Sequence, residues 1–184
     1  MKTAQYANPE PLGLLGCGMT TILMNMHNAG FFPFSSMMLG MGLLFGGLTQ
    51  IAAGALEYRR GNTFGMTTFF AYGVFWISLM LAIVLPEWGL ARPTVPAYMG
   101  VYLGLWGIFT AVMFLGTRGG SPVLQFLFAS LASLYFLLAI RDVADSQTAG
   151  FLGGLVGVAC GCSAFYLAMA EALEEQTGKK ILPY

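Results

Sequence analysis

The sequence predicts an all-α membrane protein, a compact bundle of six transmembrane helices in one domain over residues 1–184, on three observations. The first is composition. Of the residues 57% are apolar and 9% charged, with a mean hydropathy of +0.73, whereas a soluble domain carries roughly 25% charge. The second is where the charges fall. No Asp, Glu, Lys or Arg occurs between Glu10 and Glu57, Arg60 and Glu87, Arg92 and Arg118, Arg118 and Arg141, or Asp145 and Glu171. The third is a break inside the first gap, where Asn28 to Ser36, with Gly30 and Pro33, divide two apolar runs.

A helix needs about 20 apolar residues to cross roughly 30 Å of hydrocarbon. The spans predicted on that basis are about 12–27, 37–56, 66–85, 96–115, 123–140 and 149–170, joined by loops of about 6 to 10 residues. Six spans put both termini on one side, with Lys2, Arg59, Arg60, Arg118, Lys179 and Lys180 against Arg92 and Arg141 on the other. The positive-inside rule then predicts cytoplasmic N- and C-termini. Leu14-Leu15-Gly16-Cys17 looks like a lipoprotein cleavage box, but its apolar run follows the cysteine instead of preceding it, so the sequence is read as a span and not a signal.

Each span carries a pattern. In the first, Cys17, Thr21, Met24 and Asn28 share a helical face, flanked by Thr20 and Asn25. The second aligns Gly47, Gln50, Gly54 and Glu57; the third aligns Thr68, Tyr72, Phe75 and Trp76; the fifth supplies Gln125, Ser130 and Ser133. Ser and Thr can bond their own helix, but the carboxamides of Asn25 and Gln50 have two donors and two lone pairs each to satisfy. They are read either as glue between helices or as the lining of a pathway. His27, near the end of its helix, is read as an interfacial, hydrogen-bonded residue or a pH sensor. Small residues recur at four-residue spacing at Gly42 and Gly46, Gly100 and Gly104, Gly150 and Gly154, and through Gly153, Gly157 and Gly161. Such stripes let helices approach closely in lipid, within one bundle or between copies in a homo-oligomer.

Several function classes are excluded. Eight basic and eight acidic residues cancel, leaving no footprint for nucleic acid. One His and three Cys, with Cys160 and Cys162 on opposing helix faces, predict no metal site and no disulfide framework. No cofactor motif and no nucleophile–base pair is present, so the chain is not expected to be an enzyme. The spans hold amides, hydroxyls and aromatics but no Arg, Lys, Asp or Glu, so a fully charged ion finds no fixed countercharge there. A small polar solute with one ionisable group fits better.

At the N-terminus, Asn8-Pro9-Glu10-Pro11-Leu12-Gly13-Leu14 resembles the Asn-Pro-Ala-Pro-Leu-Gly-Leu signature of the acetate/succinate permease family, the acetate uptake transporters. Further blocks resemble that family in order: Gly18 to Thr21, His27 to Gly30, Gly54 to Phe64 with Glu57 and Asn62, Tyr72-Gly73 with Phe75-Trp76, Gly100 to Thr110, Leu124 to Phe126, and Tyr166 to Met169. Glu10 stands where the family usually has Ala, and Cys17 where bacterial members often have Phe. The resemblance implies a hexameric ring of six-helix protomers in the bacterial inner membrane, each with its own pathway for acetate, succinate or similar short carboxylates, channel-like or coupled to protons. It places an apolar constriction at Cys17, Tyr72 and Leu131; the polar and aromatic stripes of the spans supply the expected pathway contacts Thr20, Thr21, Asn25, Gln50, Phe75, Trp76, Gln125 and Ser130.

The residues themselves give the signature a structural reading: Pro9 and Pro11 suit a helix entry, Asn8 can cap it, and Gly13 and Gly16 allow another segment close. Two other functions stay open: a channel for small neutral solutes such as urea or amides, and a structural or sensor protein whose polar stripes only join helices.

Overall fold

The computed structural model describes residues 7–184. Lys2, counted above among the basic residues of the terminal side, lies outside them. The described residues form six long helices and no strand: α1 (Glu10–Asn28), α2 (Ser36–Arg60), α3 (Thr63–Glu87), α4 (Pro96–Gly116), α5 (Pro122–Ala144) and α6 (Gln147–Thr177). Five of them, α2 to α6, are long and apolar enough to cross a membrane. Alone among the six, α1 is not, because Thr20, Thr21, Asn25 and Asn28 dilute its apolar residues. It lies against α6, α2 and α3, so protein rather than lipid meets most of that polarity.

The helices outrun the apolar stretches because polar residues start and stop them. Asn62 accepts from the Gly65 N–H at 3.0 Å, Ser121 from Leu124 at 3.1 Å and Ser146 from Ala149 at 3.3 Å. Each satisfies a backbone donor that the first turn leaves unpaired. Gly61 and Gly178 end α2 and α6 in the left-handed conformation. At 31 residues α6 is about 46 Å long, more than roughly 30 Å of hydrocarbon requires. The chain beyond it turns back, where Tyr184 donates to Glu174 at 2.7 Å and Tyr166 to the Pro183 carbonyl at 2.6 Å.

The middle of α2, Met41–Thr49, is a π-helix, the wider winding found at functional sites and packing adjustments. It passes between Thr20 of α1 and Trp76 of α3, which meet its Gly46. Most glycine stripes are consumed inside the protomer. A Cβ at Gly161 would lie 2.7 Å from the Gly18 carbonyl, and one at Gly157 would collide with the Asn25 carboxamide. Gly42, Gly100, Gly150 and Gly153 are likewise covered by residues of neighbouring helices, and Gly154 by Ala29 just past the end of α1. Gly104 differs: nothing lies within 4 Å of its Cβ position, and Val101, Leu105 and Ile108 around it are exposed.

Alternating helix direction sorts the polar residues to two ends. The terminal end gathers Asn8, Glu10, Glu57, Arg60 and Asn62; the far end gathers His27, Asn28 and Arg141.

Candidate functional site

Two cavities lie between α1, α3 and α5, and Leu131 lines both. The far-end cavity, about 340 Å³, is walled by Phe75, Trp76, Leu134, Tyr135 and Leu138, with Thr21, Asn25, His27, Asn28 and Arg141 supplying its polar atoms. The terminal-end cavity is smaller, about 60 Å³, and contains Cys17, Gln50, Thr68, Tyr72 and Phe128.

The three positions read as a constriction come together here. Cys17, Tyr72 and Leu131 are all buried and all line the terminal-end cavity. Tyr72 is fixed by its hydroxyl, 2.8 Å from Thr110 Oγ1, and by edge contacts with Phe109. Behind it, Trp106 packs on both Tyr72 and Phe75, and Phe75 meets Tyr135 edge-on at 5.1 Å. Such offset and edge-on contacts hold ring orientation as well as burying area, so the aromatic walls of both cavities are held in place.

Of the polar residues read as pathway contacts, Thr21 and Asn25 face the far-end cavity with Phe75 and Trp76, and Gln50 faces the terminal-end one. Asn25 Nδ2 donates to the Thr21 carbonyl at 2.9 Å, and Asn25 Oδ1 accepts from Asn28 Nδ2 at 3.0 Å. Gln50 Nε2 donates to the Gly46 carbonyl at 2.8 Å inside the π-helical stretch, while its Oε1 is buried with no partner among the described residues. Thr68 Oγ1 is in the same position in the same cavity. A buried polar atom left unpaired costs about 1–3 kcal/mol, and both residues line this cavity.

Thr20, Gln125 and Ser130 line neither of these cavities. Thr20 donates across to the Met41 carbonyl at 3.4 Å, joining α1 to α2. Ser130 donates to carbonyls of its own helix at 2.7 and 3.0 Å, and Gln125 to Gly120 at 3.2 Å. Thr20 thus joins two helices, while Ser130 and Gln125 bond back to their own helix or the turn before it.

The expectation that no cation lines the spans needs correcting. Because α5 runs to Ala144, past the apolar stretch, Arg141 continues the face of Leu131, Leu134 and Leu138 into the far-end cavity. That three- and four-residue spacing was legible in the sequence. Thr68, four residues before Tyr72, was signalled in the same way.

The signature residues clasp the terminal end. Asn8 Oδ1 accepts from the Glu10 N–H at 3.2 Å and from Arg60, which also donates to Glu57 at 3.1 Å. Asn8 therefore holds the entry of α1 and ties it to the last turn of α2. Glu57 is fully buried, its Oε2 without a partner among the described residues. Glu10, ahead of the first apolar run, is held above the usual carboxylate range by burial first and Glu57 next, with Arg60 opposing. Gly13 receives the Phe69 ring, and a Cβ at Gly16 would lie 2.5 Å from the Phe45 carbonyl, so both glycines admit a neighbouring helix.

Comparison with known proteins adds three findings. The chain is 50% identical over 183 residues to a protein of Escherichia coli (strain K12) named succinate-acetate/proton symporter SatP, covering 100% of this chain and 97% of the relative. It is 33% identical over 180 residues to the ammonia transport outward protein 2 of Saccharomyces cerevisiae, spanning 94% of this chain and 64% of that one. Among solved structures it superposes on the bacterial acetate channel SatP with a TM-score of 0.96 and 51% identity, over 97% of this chain and 99% of that one. The model of the GPR1/FUN34/yaaH family matches residues 1–183, and the chain, with its six helices, its aromatic-walled cavities and its N-terminal clasp, belongs to that family.

Proposed function

We propose that the chain transports acetate and related short carboxylates such as succinate across the bacterial inner membrane, through a passage inside each protomer. The observation that carries this reading is the pair of cavities meeting at Leu131, one of them with buried acceptors at Gln50 and Thr68. The printed names of the bacterial relatives, a succinate-acetate/proton symporter and an acetate channel, support the same solute class.

The two ends divide the work. A carboxylic acid titrates near pH 4, so at neutral pH the solute arrives as an anion. The polar far-end cavity replaces part of its hydration. The narrower cavity offers acceptors but no fixed cation, and a bare carboxylate there faces a cost of several kcal/mol. A carboxylic acid carrying its proton can donate it in a hydrogen bond to Gln50 Oε1, so passage with a proton lowers that cost. Cys17, Tyr72 and Leu131 form the size filter between the two.

Both termini are assigned to the cytoplasm, where Arg59, Arg60, Arg118, Lys179 and Lys180 gather. Six protomers in a ring is the assembly proposed; the open notch at Gly104 among exposed apolar residues of α4 supports a helix contact between copies. Purified protein in liposomes tests the reading: acetate should enter faster than into empty liposomes, and uptake equal to the empty control would reject it. Reversal potentials at two pH values then separate a channel, whose potential follows acetate alone, from a proton symporter.

A further inference from the structure

Arg141 stands at the mouth of the far-end cavity and also lines an adjoining groove of about 480 Å³, shared with His27, Asn28, Gln147 and Gly150. Its guanidinium is held in one orientation. Nε donates to Asp142 Oδ1 at 2.7 Å, Nη2 to Asp142 Oδ2 at 3.2 Å, and Nη1 to Asn28 Oδ1 at 3.2 Å. These use three of the five N–H donors of a guanidinium; one on Nη1 and one on Nη2 remain among the described residues. The stem rests against Gly150, where a Cβ would lie 2.8 Å from Arg141 Cδ.

A rigid guanidinium with spare donors is the side chain best matched to a planar carboxylate. Its neighbours extend the match inward, since Arg141 donates to Asn28, Asn28 to Asn25, and Asn25 to the Thr21 carbonyl. That chain runs from the mouth to the polar wall of the cavity. Asp142 offsets the positive charge, and conduction needs a site strong enough to collect an anion yet weak enough to release it.

We propose that Arg141, with Asn28 beside it, is a carboxylate-capture site at the external entrance. It takes one carboxylate of an arriving anion on its two remaining N–H groups and passes it to the Asn25–Thr21 wall. A dicarboxylate can rest its second carboxylate in the groove beside His27 and Gln147, so succinate depends on the site more than acetate does. The proposal rests on the transport reading given above.

The test measures initial uptake against concentration in proteoliposomes. Wild-type uptake above the empty control checks the transport reading separately. Given that, Arg141→Gln should raise KM for acetate about tenfold, a typical loss for a charge-assisted hydrogen bond, raise it further for succinate, and change the maximal rate less than about twofold. Arg141→Lys, which keeps the charge but loses the fork, should fall between. An unchanged KM in Arg141→Gln overturns the proposal. Should the variants fail to assemble, the wild-type protein in detergent decides: acetate should slow phenylglyoxal modification of Arg141 severalfold, read by peptide mass spectrometry, and leave Arg92 unaffected. Equal modification with and without acetate, or protection by anionic lipid but not by acetate, overturns the capture site.

Discussion

The two cavities on either side of Leu131 are made from different materials. The far-end one, about 340 Å³, adds an imidazole and a guanidinium to its aromatic rings and carboxamides; the terminal-end one, about 60 Å³, adds a thiol and the Glu10 carboxyl to its own rings and carboxamides. The guanidinium lies at the wide end and the acidic side chain at the narrow one. On the transport reading proposed above, the contrast teaches that selectivity need not sit at one point: the wide end would read charge, and the narrow end size and protonation.

Removing the divider should give the largest effect. Leu131→Ala deletes a side chain from a packed site, where such losses leave a cavity and cost about 2–5 kcal/mol of stability. The two spaces then join, and lactate uptake, near background in the wild type, should rise about tenfold or more. Unchanged selectivity in a variant that still assembles would move the constriction elsewhere.

Gln50→Leu comes next. It deletes the acceptor offered to the solute, and acetate uptake should fall about tenfold, in line with roughly 1–3 kcal/mol for a buried hydrogen-bond partner. Should the variant instead break the oligomer while intact molecules remain fully active, Gln50 is glue for the π-helical stretch.

Acidification should produce a severalfold change. At a fixed concentration of acetate anion, lowering external pH from 7 to 5 raises the protonated acid about a hundredfold, since both values lie above its titration near pH 4. Protein-dependent uptake should rise with it after subtraction of leak into empty liposomes. A flat profile would remove protons from the mechanism.

The smallest effect is at Cys17. A small membrane-permeant thiol reagent should modify it about twofold to threefold more slowly in saturating acetate, because the solute shields the cavity wall. Cys162, which is exposed away from the cavities, serves as the control. Equal rates would place Cys17 off the passage.

How much of this was legible in the sequence depends on the kind of residue. Charge-free gaps marked the apolar runs of α3, α4 and α5 because lipid penalises ionised groups whatever their neighbours. Helix ends were less legible: Asn62, Ser121 and Ser146 were present as capping residues, but hydropathy does not register a cap. A span drawn from apolar residues alone stops at residue 140, which left Arg141 outside it although α5 continues to Ala144. The π-helical winding of Met41–Thr49 had no visible signal, since glycines permit it without requiring it. Thr20 and Thr21 show the limit for the site. Neighbours in sequence, they point about 100° apart on a helix, one to the Met41 carbonyl and one to the far-end cavity, and only the arrangement of surrounding helices decides which is which.

The pairing of α1 with α6 has a consequence for biosynthesis. Of the six described helices, α1 is made before the others and is the one not apolar enough to qualify as a span by itself, and its most extensive partner, α6, is made after the other five, joined to it by backbone contact at Gly18 and Gly161. Until α6 emerges, Asn25 lacks the surface at Gly157 that covers its carboxamide. The growing chain must therefore hold α1 at the insertion machinery or against α2 and α3 while the more than a hundred residues between α1 and α6 are translated. A nascent chain stopped short of α6 would present a polar stripe to lipid, a form that membrane quality-control proteases can recognise.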